Sequence, residues 1–588
     1  MADTKTSLRS FGQNNEAALW LLLIVIAAAL LRLYGLSFQS YWYDELFSAY
    51  ISNPAHSLEE VISLTLADVH PPFYQLAMWS SYRWLGYTEW AGRLPSVLAG
   101  IATVPVVFLL GKELFGGRTG LYAAALAMPN FYLVYYAQEA RSYSFFCFLS
   151  ALSFYFFLRA LRNGSWLSVL PYVLASTLLL YTHYFGFIVL IIQSLLLAVY
   201  LPATWNIDKK LIIRAAVAAM LIILAVLPLV PSMLAHANIR EFWIQQPQAI
   251  VAINYFIGYF DSMNLALIFG ALILVAATLG LFRIPARADR VWVRFGVASL
   301  LFWIALGFLI PWTRGLISQP VITDRNTIML LPPIIVLAAY GLASIPGLLV
   351  QRVAGAALLG YATYHLIFVA DYYTQAKKNQ FREIAAAMTA YGETLPVYTF
   401  NYNDTKYNVY FEQQNSPLIA VDASVLEDEL TKGTAPALFW LADAHFGMFT
   451  SDLPERFKLV RVARYRMPGV GADLYVNPDR ATPVALEPAL ISAADGNWLS
   501  TSVISWSGEH DQLLVGLNAE AQQDPLRDVQ VDLLDARGNN LESHAAKLGA
   551  MPATLQFDPE LPAGSQIRLV IRMPINEPEP AVWMLRQE

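Results

Sequence analysis

The sequence contains almost no cysteine and little charge. Cys147 is the only cysteine among 588 residues, and it lies inside an apolar run. A single thiol excludes a disulfide framework or a thiolate metal cluster within one chain. Charged residues make up only 14% of the chain and form no basic stripe. The composition therefore gives no support for a nucleic acid partner.

Hydrophobic residues, in contrast, make up 57% of the chain, and the mean hydropathy is +0.46. Both values exceed what a soluble enzyme of this length needs, so the composition predicts a membrane protein. The first apolar stretch, residues 17–36, is long enough to cross about 30 Å of hydrocarbon at 1.5 Å per residue. No small-residue cleavage site follows it, and we predict a retained span rather than a signal peptide.

Further apolar stretches predict a polytopic α-helical protein with about eleven transmembrane helices. The remaining predicted spans are 91–111, 119–137, 142–160, 166–182, 184–201, 211–231, 263–282, 293–311, 327–346 and 350–370. Residues 70–87 are also apolar, but this stretch is short, carries Arg83 and begins with two prolines. We predict that it forms an amphipathic helix on the outer surface of the membrane.

Lysines and arginines near the span ends fall on one side of the predicted topology. They are Lys112, Arg118, Arg159, Arg162, Lys209, Lys210, Arg214, Arg283, Arg287, Arg290, Arg294 and Arg352. The positive-inside rule makes this side cytoplasmic. The first loop, residues 37–90, and the region after Asp371 are then expected on the outer, periplasmic face.

The C-terminal region differs in charge from the rest of the chain. Residues 371–588 contain 17 Lys and Arg against 29 Asp and Glu, a net charge of −12, whereas residues 1–370 have a net charge of +6. We predict a transmembrane domain over 1–370, an extracytoplasmic α/β domain over 371–482 and an extracytoplasmic β-sandwich-like domain over 483–588. The strand candidates are 396–400, 437–441, 459–465, 513–517, 529–534 and 567–572.

Ionisable side chains concentrate near span ends on the predicted outer face. The candidate site residues are Asp44, Glu45, Asp68, His70, Glu139, Arg141, Tyr143, His183 and Arg325. A partly desolvated carboxylate such as Asp44 can act as a general base, and an arginine such as Arg325 can bind a phosphate through two hydrogen bonds.

Each of these patterns also has an ordinary structural interpretation. Asp44 or Asp68 could cap a helix, and His183 could be a turn residue. Interfacial ion pairs could account for Glu139 with Arg141 and for Arg325 with Asp324. A divalent metal ion held by Asp68, His70 and Glu139 is a further alternative, although two candidate ligands at positions i and i+2 are a weak metal signal. The sequence leaves the metal question open.

The location of the site restricts its chemistry. An enzyme site on the outer face has no ATP or nucleotide sugar available, so its donor must be carried by the bilayer. A transporter or flippase would instead place ionisable residues and interrupted helices at mid-membrane, with a repeat between its halves. A receptor or scaffold that uses the acidic C-terminal region would leave the outer-face clusters unexplained.

Five segments in this order resemble the GT-C superfamily of polyprenyl-phosphate-sugar glycosyltransferases, close to the protein O-mannosyltransferase and ArnT-like group of bacterial inner membranes. They are Tyr43-Asp-Glu45, Asp68-Val-His-Pro-Pro-Phe-Tyr74, Arg93-Leu-Pro-Ser96, Gln138-Glu-Ala-Arg-Ser-Tyr143 and Tyr181-Thr-His-Tyr-Phe-Gly186. The resemblance covers about residues 17–400. It implies an inner-membrane enzyme with a GT-C fold.

The resemblance also implies roles for individual residues. Asp44 would deprotonate an acceptor hydroxyl while polyprenyl phosphate leaves the sugar, with inversion. Glu45 and His70 would shape the sugar and acceptor site, and Arg325 would hold the donor phosphate. The partners implied are a polyprenyl-phosphate-linked sugar donor and a glycan, lipid or protein acceptor in or at the membrane.

The chain departs from these relatives after the His-Pro-Pro motif. The eukaryotic O-mannosyltransferases have a lysine shortly after it, and ArnT-type enzymes have a lysine-containing segment nearby, whereas this chain has Phe73-Tyr-Gln75. It also lacks the large loop domain of the eukaryotic enzymes. The identities of the sugar and of the acceptor therefore stay open.

Overall fold

The structure of the chain is a computed structural model. The described residues are 2–68, 70–163, 165–203, 209–236, 244, 246–248, 250–282, 290–391, 394–400, 403–443, 452–480, 483–484, 490–492, 498–506, 513–519, 527–535, 539–548, 553–557, 566–572 and 581–586. Arg283 and Arg287, which contribute to the predicted orientation, lie outside them.

The first part of the chain is helical. Its α-helices are α1 (Ala2–Leu33), α2 (Tyr43–Ile51), α3 (Leu58–Ala67), α4 (Phe73–Leu85), α5 (Glu89–Phe115), α6 (Gly117–Ala127), α7 (Phe131–Ala137), α8 (Tyr143–Asn163), α9 (Trp166–Thr182), α10 (Gly186–Ala203), α11 (Lys209–Val226), α12 (Val230–His236), α13 (Val251–Gly258), α14 (Met263–Phe282), α15 (Arg290–Ile317), α16 (Leu331–Ala343) and α17 (Leu348–Tyr364). The 3-10 helices Leu227–Leu229 and Arg325–Leu330 and the π-helical turn His365–Val369 extend neighbouring helices.

The C-terminal part mixes helices and strands. The helices are α18 (Phe381–Tyr391), α19 (Asp404–Gln413), α20 (Ala423–Lys432) and α21 (Leu453–Arg456). The strands are β1 (Val397–Thr399), β2 (Ala420–Asp422), β3 (Leu438–Asp443), β4 (Val460–Met467), β5 (Val470–Val476), β6 (Pro483–Val484), β7 (Leu490–Ser492), β8 (Trp498–Trp506), β9 (Leu513–Ala519), β10 (Arg527–Asp535), β11 (Asn540–Leu548), β12 (Ala553–Phe557), β13 (Gln566–Arg572) and β14 (Ala581–Arg586). All six predicted strand segments are confirmed.

Apolar helices dominate the first part, and the predicted multi-pass helical membrane fold is confirmed. Among the described residues, eight helical segments are long and apolar enough to cross a membrane: Asn15–Leu33, Glu89–Phe115, Tyr143–Arg162, Lys209–Ala235, Met263–Phe282, Val291–Ile317, Arg325–Ala343 and Leu348–Val369. Two shorter apolar helices are Trp166–Thr182 and Gly186–Leu201. These ten segments correspond to ten of the predicted spans.

The remaining predicted span, 119–137, is wrong as one continuous helix. It is divided into α6 and α7, because Pro129 cannot donate a backbone hydrogen bond and its ring blocks a preceding helical turn. The side chain of Asn130 then caps α7 by accepting a hydrogen bond from the Leu133 N–H at 3.0 Å. At 1.5 Å per residue, neither piece reaches the roughly 30 Å needed to span hydrocarbon.

A buried arginine stabilises this break. Arg32, near the end of α1, is fully buried, and its guanidinium donates hydrogen bonds to the carbonyl oxygens of Met128 at 3.0 Å and Ala127 at 3.3 Å. A helix end leaves carbonyl groups without an intrahelical partner, and these groups are costly to bury in an apolar environment. Arg32 supplies the missing donors.

Close helix packing surrounds the break. A Cβ atom placed on Gly111 of α5 would lie 3.1 Å from the Cα of Gly120 in α6, and one on Gly120 would lie 2.6 Å from the Phe108 carbonyl oxygen. Glycine at both positions therefore lets the two helix backbones meet. Helix α5 also packs against α1, α4, α7, α8 and α16.

Helix α4 occupies the stretch for which we predicted an amphipathic helix. It begins at Phe73, directly after Pro71 and Pro72, and its 13 residues end before Gly86. Thirteen residues extend only about 20 Å as a helix, which is too short for a typical span. A helix at this position is thus confirmed, and its location on the outer membrane surface stays a prediction.

The chain divides into two compact units. Unit 1 comprises residues 1–38 and 51–375, and unit 2 comprises residues 39–50 and 376–588. Unit 2 therefore includes a short segment from the first predicted outer loop together with residues 376–588 of the C-terminal region. The domain boundaries at 370 and 482 stay a prediction.

The described residues of unit 2 form three sheets. The first is mixed, with the order β2-β1-β3-β5-β4, in which β1 is parallel to β2 and β3 while β5 is antiparallel to β3 and β4. Gly469 makes the tight turn between β4 and β5 with a φ of +71°. The other two sheets have the orders β11-β10-β13-β14 and β12-β9-β8-β6, with β7 paired to β8, and every pairing in them is antiparallel.

Candidate active site

Unit 1 joins three of the predicted site residues in one hydrogen-bonded chain. His70 Nδ1 lies 2.6 Å from Asp68 Oδ2, and Arg141 Nη2 lies 3.1 Å from His70 Nε2. A guanidinium can only donate, so Nε2 accepts from Arg141 and the Nδ1–H donates to Asp68. Asp68 thereby fixes the tautomer of His70 and Arg141 fixes the direction of its ring.

Helix ends position these side chains. Asp68 is the residue at the end of α3, and Pro71 and Pro72 separate His70 from the start of α4. Arg141 comes from the link between α7 and α8. The side chains of His70 and Asp68 are 22% and 24% exposed, whereas Arg141 is buried. The chain of polar groups is therefore partly open to its surroundings.

Tyr143, His183 and Arg325 form an aromatic and cationic group in the same unit. The rings of Tyr143 and His183 are 6.2 Å apart, and the guanidinium carbon of Arg325 lies 6.0 Å from the centroid of the Tyr143 ring. That distance places Arg325 within the range of a cation–π contact. The imidazole of His183 stacks on Phe146 with a centroid distance of 4.6 Å.

His183 is a neutral group. Burial lowers its pKa to about 3, with His70 and Arg141 adding to the decrease and a hydrogen bond with Asn326 opposing it. Its Nδ1 accepts a hydrogen bond from the Phe185 backbone N–H at 3.2 Å. Because the charges of His70 and Arg141 act on His183, this group lies near the Asp68–His70–Arg141 chain.

Glu139 is also in unit 1, in the link between α7 and α8. Its side chain is buried, and its backbone carbonyl oxygen accepts a hydrogen bond from the Arg141 N–H at 2.8 Å. Among the described residues, no group of three or more His, Cys, Asp or Glu side chains could hold a metal ion. Asp68, His70 and Glu139 therefore do not form a metal-binding group among these residues. Whether the protein requires a metal ion stays open.

Asp44 and Glu45 are in unit 2, in the first turn of α2. Glu45 is fully buried, and its Oε2 accepts hydrogen bonds from Lys378 Nζ at 2.9 Å and from the Trp42 backbone N–H at 3.3 Å. Asp44 is only partly buried. The two neighbouring carboxylates therefore have different environments.

Two lysines of unit 2 were not identified from the sequence. Lys378 forms the ion pair with Glu45, and the ammonium nitrogen of buried Lys406 lies 4.1 Å from the centroid of the Tyr43 ring. Burial lowers the pKa of Lys406 to about 8, while Asp404 and Asp44 oppose that decrease. No local pattern distinguishes Lys378 from its exposed neighbour Lys377, so the sequence offered no signal for its role.

Comparison with known proteins agrees with this fold. Residues 69–230 match the family model of dolichyl-phosphate-mannose-protein mannosyltransferases. ArnT from Cupriavidus metallidurans in the apo state is 15% identical with a TM-score of 0.56, and the alignment covers 79% of this chain and 99% of ArnT. The same enzyme bound to undecaprenyl phosphate gives 14% identity and a TM-score of 0.55, covering 77% and 98%.

Comparison with curated protein sequences gives no match. The matched family segment contains His70, Glu139, Arg141, Tyr143 and His183. The family match over residues 69–230 and the shared fold agree with the resemblance noted in the sequence: this chain is a multi-pass membrane protein with the fold of ArnT.

Proposed function

We propose that this protein transfers a sugar from a polyprenyl-phosphate donor to a hydroxyl group of a lipid, glycan or protein acceptor on the periplasmic face of the inner membrane. The observation that carries the proposal is the clustering of residues from separate predicted outer loops. Asp68, His70, Arg141, His183 and Arg325 belong to one connected group in unit 1, in a chain whose fold matches that of ArnT bound to undecaprenyl phosphate.

Binding of the donor phosphate is assigned to Arg141 and Arg325. A guanidinium carries five N–H donors, so the contact of Arg141 with His70 does not exclude a second contact with a phosphate. The ring of Tyr143 supports the guanidinium of Arg325. Neutral His183 adds no charge of its own, and it supplies an imidazole ring beside these groups.

Activation of the acceptor hydroxyl group is assigned to Asp44. Its carboxylate removes the proton from the acceptor hydroxyl as that oxygen attacks the anomeric carbon of the sugar. The bond between that carbon and the phosphate oxygen breaks at the same time, and polyprenyl phosphate leaves with the bonding electrons. The sugar is transferred with inversion. His70, held by Asp68, orients sugar or acceptor hydroxyl groups through its hydrogen bonds.

The lipid part of the donor explains why a membrane protein would perform this reaction. Each methylene of a prenyl tail that is buried contributes about 0.8 kcal/mol to binding. A protein with many apolar helices can supply that binding at the membrane. The charged groups of the unit 1 cluster are near helix ends, as expected for chemistry close to the surface of the bilayer.

The test uses the purified full-length protein in lipid vesicles, with a labelled polyprenyl-phosphate sugar as donor and a membrane extract as acceptor. We expect label to appear on a new hydroxyl group with the wild type and to be almost absent with Asp44→Asn. Asp428→Asn removes an exposed carboxylate of unit 2 and serves as the matched control. Label that crosses the bilayer but is never transferred would identify a flippase instead.

A further inference from the structure

The segment that carries Asp44 is attached to the C-terminal region within unit 2. The Ser40 hydroxyl oxygen accepts a hydrogen bond from the Arg382 backbone N–H at 3.1 Å and lies 2.9 Å from the Tyr410 hydroxyl oxygen. The Tyr41 backbone N–H also donates to Tyr410. The Gln39 carboxamide oxygen accepts from the Lys378 backbone N–H at 3.3 Å. Three consecutive residues before α2 are thus fixed by α18, α19 and the turn before α18.

The ion pair between Glu45 and Lys378 continues this attachment into α2. The two side chains are 0% and 2% exposed, and the atoms Oε2 and Nζ are 2.9 Å apart. An isolated charge at such a depth is strongly unfavourable, so each partner is stable there only in the presence of the other. Because Glu45 follows Asp44 in the same helical turn, a fixed Glu45 carboxylate also fixes the backbone that carries Asp44.

Lys406 contacts the residue that precedes Asp44. Its ammonium group packs over the ring of Tyr43, and burial raises the pKa of the Tyr43 hydroxyl, with the Asp44 carboxylate adding to the effect. The first turn of α2 is therefore in contact with one lysine at Tyr43 and with another at Glu45. Asp44 is the partly exposed residue between these two anchored positions.

We infer that Lys378 is a positioning residue for the general base: it holds Glu45 in a buried ion pair and thereby places the Asp44 carboxylate for proton removal. This inference rests on the proposed function of Asp44. It gives Glu45 a supporting role in place of the sugar contact that the family resemblance implies. The C-terminal region then contributes directly to the rate of the reaction, although Lys378 itself contacts no substrate.

The experiment compares four full-length variants in the vesicle assay. Lys378→Met removes the cation and leaves Glu45 buried. Lys377→Met removes the neighbouring, exposed cation and is the matched control. Glu45→Gln combined with Lys378→Met replaces the ion pair by two neutral groups of similar size. Asp44→Asn tests the proposed base independently.

We expect Lys378→Met to lower kcat by about tenfold or more, with the KM for the donor changed by less than about threefold. Lys377→Met should match the wild type, and the double variant should recover most of the lost kcat. Recovery excludes a direct chemical role of the Lys378 ammonium group, because the double variant restores a neutral, compatible pair without restoring any charge. Thermal unfolding of each variant reports how much folded protein is present.

Two results would overturn the inference. One is a wild-type kcat for Lys378→Met, and the other is a double variant no more active than Lys378→Met alone. Both leave the proposed function intact if Asp44→Asn is inactive. Full turnover by Asp44→Asn would instead reject Asp44 as the base, and the positioning role of Lys378 would fall with it.

Discussion

The Asp68–His70 pair of unit 1 and the Glu45–Lys378 pair of unit 2 differ in how far they are closed to their surroundings. In unit 1, His70 and Asp68 retain roughly a quarter of their side-chain exposure, whereas Glu45 and Lys378 of unit 2 have almost none. A partly open group can exchange water or a protein partner for a substrate atom. A closed ion pair cannot do so without a large desolvation cost, and its contribution is to hold the backbone in place.

This difference gives the two groups separate expected phenotypes. Changes in the open group should act mainly on the binding of the donor, because its members can contact the phosphate or the sugar. Changes next to the closed pair should act mainly on kcat, because they displace or disable the base. Substitutions can test this division, and the largest effect is expected at Asp44.

Asp44→Asn should lower kcat by about 10² or more while the KM for the donor stays within a few fold. The amide keeps the shape of the carboxylate and loses only its basicity. Steady-state rates with a labelled donor provide the measurement, and Asp428→Asn is the control. Normal turnover by Asp44→Asn would show that Asp44 is not the base.

Arg325→Ala should raise the apparent KM for the donor by about tenfold or more, because a charge-assisted contact with a phosphate contributes roughly 1.5 to 3 kcal/mol. Arg325→Lys should recover only part of that loss, since a lysine cannot form the two parallel hydrogen bonds of a guanidinium. Donor titrations at saturating acceptor measure both effects. A change in kcat alone would contradict the division between binding and rate.

Asp68→Asn should reduce kcat/KM by about three- to tenfold, because the charge-assisted hydrogen bond to His70 becomes a weaker, neutral one. The amide can still accept from the His70 Nδ1–H, but it no longer stabilises that tautomer with a charge. The comparison variant is Asp371→Asn, which changes an aspartate outside the cluster. An effect as large as that of Asp44→Asn would make Asp68 the better candidate for the base.

The smallest expected effect is a pH dependence caused by Lys406. Because burial lowers its pKa from 10.5 to about 8, the group is cationic below that pH and becomes neutral as the pH rises through 8. The charged groups that act on it are Asp404 and Asp44, and the ring of Tyr43 lies against it. Loss of the cation should loosen the first turn of α2 and lower kcat a few fold above pH 8.

Lys406→Arg separates this cause from others, because arginine stays charged throughout the measured range. Its kcat should therefore lack the decrease near pH 8, whereas Lys432→Arg, at an exposed position, should keep it. The measurement is kcat from about pH 6.5 to 9.5 at saturating donor. An unchanged profile in Lys406→Arg would assign the decrease to another group.

The membrane spans were predictable from the sequence because they depend on the length of the apolar stretches. Ten of the predicted spans correspond to apolar helices, because hydrocarbon thickness imposes a minimum length that is visible in the sequence. The break within 119–137 was missed although Pro129 is present, because an apolar stretch can contain a proline when another helix supplies donors for its carbonyl groups. That donor, Arg32, lies about a hundred residues away.

The site was predictable in its members but only partly in its contacts. Ionisable residues at the ends of apolar helices are unusual enough to be identified singly, and those of unit 1 are close together in the fold. Glu45 was identified in the same way, but its partner is 333 residues distant and belongs to a pair of adjacent lysines. Only the fold determines that Lys378 points inwards and Lys377 does not.

The contact between Arg32 and the broken helix also bears on how the chain is made. Arg32 donates hydrogen bonds to two carbonyl groups outside its own helix, and the first of these along the chain belongs to Ala127. Arg32 is therefore synthesised about 95 residues before this partner. At a synthesis rate of roughly 5 to 20 residues per second, its guanidinium waits about 5 to 20 s for that partner. Its position near the end of α1 lets the side chain reach the water at the membrane interface meanwhile. We therefore expect α1 to shift deeper into the bilayer only after α6 has emerged from the ribosome, which crosslinking of arrested chains of increasing length would detect.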